Sequence, residues 1–177
     1  MVEPLSTTRG VLFRGSGSAT PSRSISNAEL GQRVETSEEW FRCRTGIGAR
    51  RVVNSDESLA ELSGLAAERA LEMAGWSADS LDLILLATST PDDLFGSAPR
   101  LQARLGATNA AAFDLTAACS GFLFAVVTAA QYLRSGAMRR ILVVGADQLS
   151  RWVNWDDRRS CVPVSYTHLT LPTNLCV

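Results

Sequence analysis

The 177-residue sequence contains no lysine, and all 17 of its basic residues are arginine. That removes every candidate for a Schiff-base lysine or a phosphate-loop lysine, and with them pyridoxal-phosphate chemistry and Walker-type nucleotide hydrolysis. Histidine is nearly as scarce: His168 stands alone, too little for a histidine-rich metal site. The four cysteines, Cys43, Cys119, Cys161 and Cys176, are widely spaced with no C-x-x-C pair, which argues against structural zinc. No metal is expected. Neither sign of charge is in excess, with 17 basic against 18 acidic residues and a net charge of -1, so charge alone recruits neither nucleic acid nor an anionic membrane. The longest apolar run, residues 122–130, falls far short of the ~20 residues of a membrane span. The first ten residues carry Glu3 and Arg9 and no apolar stretch like a secretion signal. The expectation is a cytoplasmic chain with reduced cysteines.

What is present is enough apolar material for one domain. Hydrophobic residues make up 46% of the chain and charged residues 20%, a balance that buries a core and excludes a disordered chain. Capping boxes at Ser26-Asn27-Ala28-Glu29 and Thr36-Ser37-Glu38-Glu39 predict two short surface helices between residues 26 and 40. A third box, Ser58-Leu59-Ala60-Glu61, opens a longer helix. Its Leu59, Leu62, Ala66, Ala70 and Met73 form one apolar face, and Gly75 supplies a left-handed stop. Beyond it, residues 81–87, 110–115 and 141–145 read as strands, with helices at 98–105 and from about 120 to 133. Continuous apolar strands separated by helices predict a parallel β-α-β-α-β core.

The helix from Ser120 is apolar nearly all round, with Phe122, Leu123, Phe124, Val126, Val127 and Leu133, so it is expected to be buried. Its N-terminus brings Cys119 to the positive end of a helix dipole, where first-turn N–H groups stabilise a thiolate. Gly121 is read as letting a substrate or backbone approach closely. On burial statistics alone, however, a lone cysteine between small residues is most often a buried hydrophobe. Gly15-Ser16-Gly17-Ser18-Ala19-Thr20 lacks the third glycine and the acidic partner of a dinucleotide fingerprint and is read as a turn. Asp56, Glu57, Asp92 and Asp93 are read as caps and loop acids.

Four stretches resemble one enzyme family in order and spacing. They are Thr36-Ser37-Glu38-Glu39-Trp40 with Arg44-Thr45-Gly46-Ile47; Ala112-Phe113-Asp114-Leu115 running into Ala117-Ala118-Cys119-Ser120-Gly121-Phe122; Gln131-Tyr132-Leu133-Arg134-Ser135-Gly136; and Val143-Val144-Gly145-Ala146-Asp147. Together they resemble the N-terminal half of β-ketoacyl-acyl-carrier-protein synthase III. The resemblance implies a thiolase-like α/β fold, of which this chain is the first half, and a homodimer when full length. It implies an acyltransferase of fatty-acid biosynthesis. Cys119 would take the acyl group of a short acyl-CoA, commonly acetyl-CoA, as a thioester. It would then pass that group to malonyl-acyl-carrier protein, with the Cys119 backbone N–H in the oxyanion hole. CoA thioester is a substrate, and no cofactor is implied; the partners are acyl-CoA and acyl carrier protein, with no nucleic acid and no membrane. By the same resemblance Trp40 and Arg158 sandwich the CoA adenine, Arg44 holds the nucleotide end, and Phe95 crosses the dimer interface to the partner's acyl pocket. Without it, the favoured readings are Trp40 as the apolar anchor of a short helix, and Arg42, Arg44, Arg50 and Arg51 as a solvated basic face.

The resemblance spans about residues 10 to 162. Residues 163–177 carry no charge and the only histidine. They are expected to be a non-native tail, the translation of adapter DNA, following an incomplete domain at 1–162. The family's catalytic histidine and asparagine belong to a second half, and nothing around His168 matches them. Two further readings stay open: a polyketide-type or other thiolase-family acyltransferase, and a non-catalytic half that is inactive as a fragment.

Overall fold

The computed structural model describes residues 10–161 and the backbone of 169–171. His168, Cys176, and most of the expected tail at 163–177 lie outside the described residues. The chain opens with an antiparallel ribbon that the sequence reading did not anticipate: β1 (Arg23–Ser26) pairs with β2 (Ala49–Val52) in the register Arg23↔Val52 to Ser26↔Ala49. Two short helices, α1 (Asn27–Gly31) and α2 (Glu38–Thr45), fill the connection. Ser26 caps α1 as expected, its Oγ accepting from the Glu29 N–H at 3.1 Å. The cap of α2 is Ser37 rather than Thr36: Ser37 Oγ accepts from the Trp40 N–H at 3.1 Å. Either hydroxyl suits the role, and the acidic pair Glu38-Glu39 follows Ser37 directly into the positive first turn.

Next come α3 (Leu59–Ala74), β3 (Leu83–Ala87), α4 (Ala98–Leu105), β4 (Ala111–Leu115), α5 (Gly121–Arg134) and β5 (Ile141–Gly145). The four-residue α6 (Arg158–Cys161) and the strand β6 (Leu169–Leu171) complete the order. Sheet order is β4-β3-β5-β6. The first three strands are parallel, the β-α-β-α-β core read from the sequence, and β6 adds an antiparallel edge opposite Val143–Gly145.

Alternation along β3 sorts the core into two layers, because successive side chains leave opposite faces of a sheet. Ile84 and Leu86 pack with Leu59, Ala67, Leu71 and Leu101 beneath α3 and α4. Leu83, Leu85 and Ala87 pack with Ala125, Ala129 and Leu133 of α5. The helix ends follow local chemistry. Ser58 caps α3, while Gly75 and Gly106 close α3 and α4 with φ of 69° each, a conformation open to glycine at no steric cost.

Three expectations about burial are corrected. Met73 lies off the core face of α3 and is 64% exposed, because the helix turns it toward the segment at Ser16. The helix α5 is not buried all round. Small residues four apart, Gly121, Ala125 and Ala129, seat it on the sheet, while Leu123, Phe124 and Val127 on the other side are 67%, 57% and 57% exposed. Gly15 and Gly17 do not form a turn loop: a Cβ at either would collide with backbone atoms of α3, at Ala70 and Ala66 respectively. They are there because the chain crosses a helix at backbone contact.

Candidate active site

Cys119 lies on the connection between the carboxyl end of β4 and α5, in a single 3₁₀ turn, Ala118–Ser120. Its thiol is exposed rather than buried. It stands one residue before the helix cap, since Ser120 is the N-cap and Gly121 the first residue of α5. Ala118, immediately before the thiol, holds φ at +46°, the one positive φ of a non-glycine among the described residues. A side chain in that region costs on the order of 1 kcal/mol and persists where its surroundings impose it. The surroundings here are plain: the Ser120 N–H donates to Ala117 O at 3.1 Å, and the Gly121 N–H donates to Ala118 O. The turn therefore presents Cys119 outward at the amino end of a fourteen-residue helix. Gly121 packs against β3, where a Cβ would meet Ala87 Cβ at 3.4 Å, an ordinary contact distance.

The loop after β3 is fastened to the same sheet edge. Thr116 Oγ1 donates to Thr88 O at 2.8 Å, and the Asp114 carboxylate accepts from Ser97 N–H at 2.9 Å and Ala98 N–H at 2.7 Å. Asp147, beyond β5, accepts from Ser89 N–H at 2.7 Å, and from the Thr88 and Thr90 hydroxyls at 3.3 Å each. Phe95 is carried on this loop and is 88% exposed, next to Leu94 at 93%. The loops bearing Phe95, Cys119 and Arg158 thus all follow the carboxyl ends of parallel strands, the edge at which open α/β sheets build sites.

Asp92 and Asp93 act as the loop acids expected. Asp92 caps α3 from outside, accepting from Leu59 N–H at 2.8 Å and Ala60 N–H at 2.9 Å. Asp93 pairs with Arg100 at 2.7 Å. Glu57 accepts from Ser22 and Asn54 N–H groups. Desolvation alone would raise its pKa, but these hydrogen bonds outweigh it and hold the carboxyl below its usual value.

Trp40 and Arg158, 118 residues apart in sequence, are brought together: the Arg158 guanidinium carbon lies 5.0 Å from the Trp40 ring centroid. Arg158 also donates to Glu35 O at 3.4 Å. Arg44 is exposed in the last turn of α2. Its neighbours in the supposed basic face divide: Arg42 is a surface partner of Glu38, whereas Arg50 is 1% exposed. Sequence reasoning missed Arg50. Strand alternation puts Arg50 and Val52 on the same, buried face of β2, but β2 itself was not read from the sequence, so no signal pointed to Arg50. Among the described residues no group of three His, Cys, Asp or Glu could hold a metal, and no helix is long and apolar enough to cross a membrane.

Residues 113–165 match the family model of 3-oxoacyl-[acyl-carrier-protein] synthase III. The chain is 70% identical over 162 residues to the β-ketoacyl-[acyl-carrier-protein] synthase III of Prochlorococcus marinus strain MIT 9313, covering 92% of this chain and 48% of that protein. It is 71% identical over 153 residues to the same-named protein of Synechococcus sp. strain WH7803, covering 86% and 45%. Among solved structures, the 3-oxoacyl-[acyl-carrier-protein] synthase III of Aquifex aeolicus VF5 superposes with a TM-score of 0.90 at 38% identity, over 94% of this chain and 54% of that one. The priming β-ketosynthase of the R1128 polyketide pathway gives 0.91 at 32%, over 98% and 52%. The chain spans about half the length of the curated relatives it matches.

Proposed function

Because the chain belongs to the β-ketoacyl-acyl-carrier-protein synthase III family, with the thiolase-like fold of half such an enzyme, we propose that it carries the nucleophile of a condensing acyltransferase. The observation that carries the reading is the placement of Cys119: exposed, on a strained turn, at the amino end of α5. In the proposed reaction the Cys119 thiolate attacks the thioester carbonyl of a short acyl-CoA. The C–S bond to CoA breaks, CoA leaves as a thiolate, and the acyl group remains on Cys119. Decarboxylation of malonyl-acyl-carrier protein then releases carbon dioxide and leaves a carbanion. That carbanion attacks the acyl-Cys119 carbonyl, forming the β-ketoacyl thioester and freeing the thiolate. The first-turn N–H groups of α5 favour negative charge at this end of the helix. By the resemblance, the histidine and asparagine that drive decarboxylation belong to the second half of such enzymes, so residues 10–161 supply acylation and CoA recognition.

Trp40 and Arg158 are proposed to stack on the two faces of the CoA adenine, with Arg44 at its phosphate end. Arg158 already lies over the Trp40 ring, its guanidinium carbon 5.0 Å from the centroid, so a base enters by a side-chain swing while the elements that carry the two residues stay in place. Phe95, projecting from its loop, fits the role of reaching a second subunit's acyl pocket in a cytoplasmic homodimer that uses no metal or cofactor.

The test uses the protein encoded by the full reading frame, after the source DNA has been read beyond the codon for Val162. Incubation with acetyl-CoA is expected to add one acetyl group to the Cys119 peptide, and Cys119→Ser to abolish condensation. A Cys119→Ser protein condensing at the parental rate overturns the proposal. The similarity to a polyketide priming ketosynthase keeps a second reading in play, and comparing carrier proteins of the two pathways as malonyl donors separates them.

A further inference from the structure

Trp40 and Arg158 sit on elements too short to hold themselves in place. The helix α2 has eight residues and α6 has four, below the length at which helices are stable without tertiary support. What joins the two is Arg50. Its Nε donates to Cys161 O, at the end of α6, at 3.1 Å. Its Nη1 donates to Asn27 Oδ1 at 2.8 Å, and its guanidinium carbon stands 4.6 Å from the centroid of the buried Phe41 ring on α2. Phe41 in turn meets Trp40 edge to face, with centroids 5.7 Å apart and planes at 77°. Arg158, three residues before Cys161, then lies over Trp40, and the circuit closes.

Asn27 extends the same grip. It is 1% exposed, its Nδ2 donates to Ile47 O at 2.7 Å, and its backbone N–H donates to Gly48 O at 3.3 Å. The loop that follows Arg44 is thereby tied to the same guanidinium.

We propose that Arg50 is a positioning residue for the CoA-nucleotide end of the site, fixing the relative placement of α2 and α6, the two elements that carry Trp40 and Arg158. The inference rests on the reading that those two side chains receive a base. A charge is a poor choice for stability alone: burying a guanidinium costs several kcal/mol, and an apolar side chain of similar volume often serves as well. Burial pushes the pKa of this guanidinium below its ordinary value, which is the signature of that cost. What a planar fork supplies and methionine or lysine does not is several directional contacts at fixed angles, together with a flat face for the ring.

The test compares two thioesters in the protein from the full reading frame: acetyl-CoA, and acetyl-N-acetylcysteamine, which has no nucleotide. Arg50→Met is expected to raise KM for acetyl-CoA about tenfold, roughly 1.4 kcal/mol, while kcat and the KM for the short thioester stay within about twofold. A merely structural role would depress both substrates together, and that result overturns the inference. Should Arg50→Met fail to fold, Phe41→Leu removes the ring beneath the guanidinium with less disturbance and is expected to show the same split. Trp40→Ala in the same assay separates the layers of the argument. If it raises the acetyl-CoA KM and the Arg50 and Phe41 variants do not, the positioning role is wrong. If Trp40→Ala itself leaves the ratio unchanged, the stacking reading falls and takes the role of Arg50 with it.

Discussion

Asp92 offers the sharpest test of how the sheet edge is assembled. Its carboxylate is 4% exposed and binds the Leu59 N–H through Oδ1 at 2.8 Å and the Ala60 N–H through Oδ2 at 2.9 Å. The two donors are the first N–H groups of α3, which have no acceptor within their own helix. Hydrogen bonds to charged groups are worth about 1.5–3 kcal/mol each. Two of them set an upper bound of ~6 kcal/mol, and the desolvation of a nearly buried carboxylate offsets part of it. A cost of about 3 kcal/mol for Asp92→Ala follows, since both amides then lie unsatisfied in the protein. Asp92→Asn keeps one carbonyl acceptor and turns an N–H2 toward the second amide, so about 2 kcal/mol is expected. The assay is amide hydrogen exchange on the protein from the full reading frame. At ~1.4 kcal/mol per decade, Asp92→Ala should lower protection at Leu59 and Ala60 about a hundredfold and leave the amides of α5 close to parental. Unchanged protection at those two amides would mean that the carboxylate does not hold the helix start. An equal loss across α5 would mean that the cap acts on global stability and not on this junction.

Three further expectations follow from other parts of the molecule. Gly17→Ala places a Cβ against the Ala66 carbonyl and 2.8 Å from the Ala70 N, so it should cost about 1–3 kcal/mol, read as a lowered Tm; a neutral outcome would mean that the segment lifts freely from α3. Glu57, with its folded pKa lowered, adds stability above the unfolded carboxylate value of about 4.3 that is lost as pH falls through the lower folded value. Glu57 is half-buried at the surface, where solvent screens its interactions, so the pH-dependent difference between parent and Glu57→Gln should stay below ~1 kcal/mol in acid titrations of unfolding. Leu123, Phe124, Val127 and Phe113 are exposed apolar side chains in this chain; residues 1–177 should bind the dye ANS strongly, and weak binding would mean that another contact covers them.

Much of the fold was legible where the determinants are local. The Ser58 cap, the step of three and four along α3, the stop at Gly75, and the apolar runs of β3 and β5 each lie within a few residues of what they specify. The ribbon of β1 and β2 was not legible, because Arg23–Ser26 and Ala49–Val52 carry one apolar residue or a charged one where a strand shows alternation. Cys119 drew notice by its place before an apolar helix and was assigned a role only through the family resemblance, while the residue-by-residue geometry, with Ser120 as the cap and Ala118 at positive φ, depends on backbone turns that composition does not encode.

The polar contacts that assemble the candidate site were the least legible, and sequence separation explains why. Arg50 reaches Cys161 across 111 positions, Asp92 reaches Leu59 across 33, and Asp114 reaches Ser97 across 17. No periodicity announces such partners, and a run of arginines looks the same whether one guanidinium is buried or all are solvated. The apolar girth of α5 teaches the complementary lesson. Hydropathy read the helix as wholly buried, and one side is: Gly121, Ala125, Ala129 and Leu133 lie on the sheet. The other side is equally apolar and faces outward here, at Leu123, Phe124 and Val127. Pattern reports what a surface can tolerate, namely the absence of water, and does not name what excludes it. In a chain spanning about half of its relatives, that exposed face marks where the apolar pattern extends past the contacts that residues 10–161 make among themselves.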